Sequence, residues 1–133
     1  MFDSETILVL EDNVYAGLDL ADVIEAMDGT VAGPVTTIAD TLNILGSTSI
    51  SGAVIDCDLT DAPAMATALS EQNVPVVLQV SGVLPEALRA LDSAVCVLMR
   101  PVDSRTVLET LLTEIGKAKA RASDMLGSEP KKV

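Results

Sequence analysis

Short, uniformly apolar runs alternate along this chain with stretches whose apolar positions repeat at helical spacing. Ile7–Leu10 (ILVL) fits a parallel strand buried on both faces. Asp12 and Asn13 can cap the helix that follows, where Val14, Leu18, Ala21 and Ile24 share a face before Gly29 ends it. Thr30–Val35 predicts a second strand, halted by Gly33-Pro34, and Thr37–Leu45 a second helix with Ile38, Leu42 and Leu45 aligned. Gly52–Asp56 is the third strand and Pro63–Glu71 an Ala- and Met-rich third helix. Pro75–Val80 predicts strand four, and Leu84–Leu91 a short helix with Pro85 near its first turn. Val95–Met99 is strand five. A last helix from about Ser104 buries Val107, Leu108, Leu111 and Ile115, and can continue through Lys117, Lys119 and Arg121, cations suited to a helix C-terminus.

Five strands alternating with five helices through short connections predict an α/β fold, a doubly wound parallel sheet covered on both faces. The flavodoxin-like order 2-1-3-4-5 suits five strands and makes strands one and three neighbours. Their carboxyl ends then bring Glu11-Asp12 beside Asp56-Cys57-Asp58. In that order one strand separates Cys57 from Cys96, roughly 10 Å at ~4.8 Å per strand and beyond the ~7 Å reach of a disulfide. Both should be free thiols. Residues 1–120 are expected to form the domain and 121–133 a flexible C-terminal tail.

Composition narrows the function. At 133 residues and 49% hydrophobic, the chain can build one proper core, mostly from Val, Leu, Ile, Ala and Met because aromatics are only 2%. Acids at Asp3 and Glu5, before an apolar run too short for export or a bilayer span, make a cytoplasmic location without membrane association the expectation. Two cysteines and no histidine exclude the usual zinc patterns. The net charge is −12, and no Lys or Arg precedes Arg89 while the first 88 residues hold 14 Asp and Glu. Nucleic acid is therefore not an expected direct partner. Phosphate handled at Asp56 must rely on a metal, backbone N–H groups or a late cation.

Residues 53–61 (AVIDCDLTD) admit three readings. Asp56 takes a phosphoryl group as a signal; Asp56 and Asp58 act as nucleophile and acid in a phosphatase; or the acids merely end a strand. Carboxylates gathered at one sheet edge repel, and one takes up a proton unless a cation neutralises them. Magnesium (Mg2+) suits such a site because it prefers hard oxygen and completes its shell with phosphate.

ILVLEDN at the first strand end, VIDCDL around Asp56, SG at 81–82 and RP at 100–101 carry a resemblance. The chain resembles a response-regulator receiver domain of two-component signalling, single-domain type, over roughly residues 5–118. The resemblance implies that Asp56 is the phosphoacceptor, with Asp12 and Asp56 binding magnesium directly. The Asp58 carbonyl would supply a third ligand and Glu11 a contribution through water. It implies a histidine kinase or phosphotransfer protein as donor and no enzyme activity beyond self-catalysed phosphorylation and dephosphorylation. Output would pass to a downstream protein, no effector domain being expected after the last helix. The helix 4–strand 5–helix 5 face, with Arg89, Val97, Met99 and Arg105, is the expected surface for that contact or for a homodimer.

Three positions depart from the pattern. Arg100 stands where the family carries lysine, and the two side chains are not interchangeable. The family's hydroxyl position falls on Val80, with Ser81 one residue later; the SG pair favours Ser81. Val97 replaces the aromatic switch residue. These departures leave room for a degenerate receiver that docks partners without phosphorylation. Asp56-Cys57-Asp58-Leu59-Thr60 also satisfies the first motif of haloacid-dehalogenase-type phosphatases, but the adjacent acid pair that such enzymes place late comes first here, at Glu11-Asp12.

Overall fold

Alternation along the strands decides which layer of helices each side chain meets. The computed structural model describes residues 1–84, 86–89 and 95–128. Its strands are β1 (Thr6–Leu10), β2 (Thr30–Val35), β3 (Gly52–Asp56), β4 (Val76–Val80) and β5 (Val95–Met99). They form one parallel sheet in the order β2-β1-β3-β4-β5. Between and after them run helices α1 (Val14–Ala26), α2 (Ile38–Ser47), α3 (Ala62–Glu71), α4 (Glu86–Arg89) and α5 (Ser104–Ser128). The α/β doubly wound architecture and strand order are those expected. Residues 85, 90 and 91 of the expected fourth helix lie outside the described residues.

Two apolar layers follow from the period of two. Leu8, Leu10, Ala53, Ile55, Val76, Leu78 and Val80 face α3, with Met65, Ala66 and Leu69 beneath them. Ile7, Val9, Val54 and Val77 face the other way, against Leu20 and Ile24 of α1 and Val107, Leu108, Leu111 and Ile115 of α5. The buried side expected for the last helix is therefore present. Truncating a fully buried leucine such as Leu108 or Leu111 to alanine costs about 2–5 kcal/mol, a large share of a small domain's stability.

Two helix faces differ from expectation. In α1 the buried residues are Gly17, Leu20 and Ile24, whereas Val14 and Leu18 are exposed. Gly17 sets this phase: a Cβ there would lie 3.1 Å from Pro34 Cγ, so its missing side chain lets the helix approach β2 closely. In α2 the buried position is Thr41 and Leu42 is exposed. Thr41 can be buried because its hydroxyl donates to the Thr37 carbonyl at 3.0 Å. Asn13 caps α1, its Oδ1 accepting from Ala16 N–H.

A bulge in β2 shapes the sheet edge. Leu8 pairs with Ala32 but Leu10 with Val35, so β2 carries an extra residue. Gly33 sits there with φ +95°, where an added Cβ would lie 2.7 Å from the Val9 carbonyl oxygen. The extra residue brings the Val35 carbonyl to 3.2 Å from Glu11 N–H, fixing the chain just past β1. At the far end α5 runs on to Ser128, so the boundary expected at 120 falls within a helix. Among the described residues no helix is long and apolar enough to cross a membrane.

Candidate functional site

The period that sorts the core also gathers the polar residues at the strands' carboxyl ends. Glu11 continues the parity of Ile7 and Val9, Asp56 that of Val54, and Arg100 that of Cys96 and Leu98. All three therefore point to the α1/α5 side of the sheet. Val80 has the opposite parity and is buried in the core, which makes Ser81 the next residue to reach the polar side. Backbone pairing holds Arg100 beside Ser81, the Arg100 N–H donating to the Val80 carbonyl at 2.8 Å.

At the centre lies Asp56, its side chain 8% exposed. Its Oδ1 accepts from Asp58 N–H at 2.9 Å and from Arg100 Nη1 at 3.0 Å. The second arm of the guanidinium, Nη2, reaches Glu11 Oε1 at 3.2 Å, and the Glu11 side chain is only 2% exposed. Nη1 also donates to Ser81 Oγ at 3.3 Å. Arg100 thus forks across two buried carboxylates and a hydroxyl, although its own side chain is 25% exposed. Glu11 Oε2 accepts from Asn13 N–H at 3.1 Å. The Asp58 carboxylate is peripheral, 68% exposed and 3.9 Å from Nη1.

Environment pushes the two buried acids apart. Burial raises the Glu11 pKa, opposed by the Asn13 N–H and reinforced by the neighbouring Asp56 charge. Burial acts in the same sense on Asp56 but is outweighed there by the Asp58 N–H and by Arg100, so its carboxyl lies below the usual range. Asp56 is the anion of the pair and Glu11 the more readily protonated partner. Burial and the adjacent Asp56 and Asp58 charges push the Cys57 thiol up to about 11, which keeps it protonated and unreactive at neutral pH. Cys57 and Cys96 are both free thiols, as expected.

Glu11, Asp12 and Asp56 each offer an oxygen within 4.8 Å of the others, with Asp12 exposed. Three hard oxygens so gathered, two of them on buried side chains, could hold a magnesium ion. The structure therefore brings Glu11, Asp12, Asp56, Ser81 and Arg100 into one pocket. Two further residues escaped the reading of the sequence. Gln79, buried beside Asp56 in the β3–β4 register, lines an open cleft of ≈ 510 Å³ with Asp19, Arg100, Pro101 and Ser104. Asp61 accepts from Ile38 N–H at 2.8 Å and so ties the loop after β3 to the start of α2. A buried polar Gln inside an apolar strand was a signal available in VVLQV; Asp61 carried none.

Solved structures share this fold. A response regulator receiver protein from Sinorhizobium medicae WSM419 aligns with a TM-score of 0.72 and 16% identity, over 89% of this chain and 99% of that one. The chain has the receiver-domain fold. The signal receiver domain of a modulated diguanylate cyclase from Desulfovibrio desulfuricans G20 gives a TM-score of 0.76 and 21% identity, over 90% and 99%. The receiver domain of a sensor histidine kinase from Pseudomonas aeruginosa PAO1, which holds a magnesium ion in its active-site cleft, gives 0.66 and 17%, over 85% and 98%. No protein-family model matches the sequence, and no curated protein matches it significantly.

Proposed function

We propose that the chain is a receiver that accepts a phosphoryl group on Asp56 and signals through protein contacts. The observation that carries this is Asp56 itself, an anionic carboxylate at the end of β3 that shares Arg100 with Glu11 and Ser81. A carboxylate oxygen of Asp56 attacks the phosphorus of a phosphorylated histidine or a small acyl phosphate. The new P–O bond forms as the donor's bond to phosphorus breaks, and the electron pair leaves with the imidazole or carboxylate. Arg100 supplies a planar fork that matches phosphoryl oxygens bidentately, and the Ser81 hydroxyl can donate to one of them. Magnesium held by Glu11, Asp12, Asp56 and the Asp58 carbonyl would offset charge on the transferring group. The cleft beside Arg100 gives the donor access.

Phosphorylation replaces one carboxylate charge by about −1.5 to −2, within reach of Arg100, and a partner that distinguishes the two states reads the change. The surface proposed for output is the α4–β5–α5 face. There Val97 and Met99 are 40% and 60% exposed, and Arg89 and Arg105 are exposed as well. A histidine kinase or phosphotransfer protein is the proposed donor, the cytoplasm the proposed location, and a homodimer through the same face one form of output.

Arg100 also supports the alternative, a degenerate receiver that docks partners without phosphorylation, since its fork already satisfies Asp56. The phosphatase reading draws no such support: the Asp58 carboxylate is exposed, out at the rim where a general acid would be solvated. Intact mass after incubation with acetyl phosphate separates these. The receiver gains one phosphoryl group only with magnesium present, and Asp56→Asn gains none. A wild type that stays unmodified while an ordinary receiver is modified would leave the docking module.

A further inference from the structure

We propose that Arg100 is the resting cation of this pocket, and that its guanidinium competes with a divalent metal ion for the Glu11–Asp56 pair. Metal binding then releases the arginine and Ser81 together. The inference rests on the receiver reading and concerns how this chain's own side chains meet the metal.

Charge alone would admit both cations. Glu11, Asp12, Asp56 and Asp58 exceed one guanidinium by three formal charges, so repulsion between acids does not decide the matter. The donor atoms do. Nη1 and Nη2 lie 3.0 Å from Asp56 and 3.2 Å from Glu11, one arm on each buried acid. The remaining hydrogen bonds orient the same acids, Asp58 N–H on Asp56 Oδ1 and Asn13 N–H on Glu11 Oε2. An ion that draws on Asp56 and neighbours Glu11 therefore meets three of their four carboxylate oxygens already engaged, Asp56 Oδ1 twice and each Glu11 oxygen once. Asp12 is the exposed member of the trio and the one acid of it to which Arg100 makes no ion pair. It is the natural first handhold for a hydrated ion, and Asp56 Oδ1 and Glu11 Oε1 become available as the fork lets go.

Lysine at this position could not do the same. A single ammonium is compact and lacks the planar fork that spans Glu11 and Asp56 while also reaching Ser81. Arginine thus gives each buried acid its own nitrogen, whereas the three N–H donors of a lysine radiate from one. Because linkage is reciprocal, whatever draws the guanidinium away, such as a phosphoryl group on Asp56, strengthens metal binding as much as the metal favours that departure.

Magnesium titration by calorimetry, followed in parallel by ¹H–¹⁵N spectra, tests this without any phosphotransfer. Arg100→Lys should bind magnesium about tenfold tighter than wild type, the equivalent of one charge-assisted hydrogen bond no longer displaced. Arg100→Met, which keeps the apolar stem and removes the charge, should bind tighter still. In wild type the Arg100 Nε–H resonance, assigned by its absence from both variants, should shift in step with saturation. Asp12→Asn should lose binding in every background. Equal affinities for wild type, Arg100→Lys and Arg100→Met, with binding still lost in Asp12→Asn, would overturn the competition and leave the metal site standing. Absence of binding in all variants would overturn both.

Discussion

At the scale of the residue, the pocket turns on how two buried acids divide one arginine. Removing one partner of a buried ion pair commonly costs about 3–5 kcal/mol, so whichever of Glu11 and Asp56 is ionised needs a cation at hand. Their environments nevertheless differ in sign. Burial raises the folded pKa of Glu11, so its ionised form weakens the fold above that value. The stability its neutral form contributes is full below the reference value of 4.5 and lost as pH rises through the folded value. Glu11→Gln should therefore raise the urea midpoint of the metal-free protein at pH 7, and the gain should shrink to nothing as pH falls toward 4.5. A lower midpoint at pH 7 would mean that pairing with Arg100 outweighs burial. Asp56 behaves in the opposite way: its lowered pKa contributes stability above the reference value of 3.8, lost as pH falls through the folded one. Most of this site was legible in the chain, because strand parity sends Glu11, Asp56 and Arg100 to one side. The same parity picks Ser81 over Val80, a choice that motif spacing left open. What parity could not convey was that the guanidinium reaches two acids at once.

At the scale of the element, a single bulge links edge geometry to the pocket. Gly33 combines a φ of +95° with a carbonyl oxygen 2.7 Å from where a Cβ would stand. Gly33→Ala should cost about 1–3 kcal/mol in urea unfolding, from backbone strain and overpacking. Gly46→Ala, in α2 with open space around it, should be neutral or stabilising by up to about 1 kcal/mol. Equal effects at the two positions would mean that β2 tolerates the change by losing its bulge. Strands and their order could be read from apolar runs, because a strand buried on both faces has little phase to get wrong. Helix faces were harder. The stripe Val14, Leu18, Ala21, Ile24 counts large side chains, whereas α1 docks through Gly17, where the absence of a side chain permits contact. In α2 a threonine that satisfies its own hydroxyl takes the buried position from Leu42.

At the scale of the molecule, charge and fold point the same way. The first 88 residues contain 14 acids and no Lys or Arg, so the pocket's guanidinium must come from the far end of the sheet. Arg100 supplies it across β4, from just past β5 to the acids that follow β1 and β3. The fold is that of receiver domains although identity to the three described is 16–21%, which leaves the chemistry to be tested on this chain's own residues. The most direct test labels the site chemically. After incubation with acetyl phosphate and magnesium, borohydride reduces an aspartyl phosphate to homoserine, and peptide mass mapping locates the change. A phosphoacceptor Asp56 predicts conversion there and nowhere else, dependent on magnesium. Conversion at Asp12 or Asp58, or none at all under conditions that modify an ordinary receiver, would contradict it.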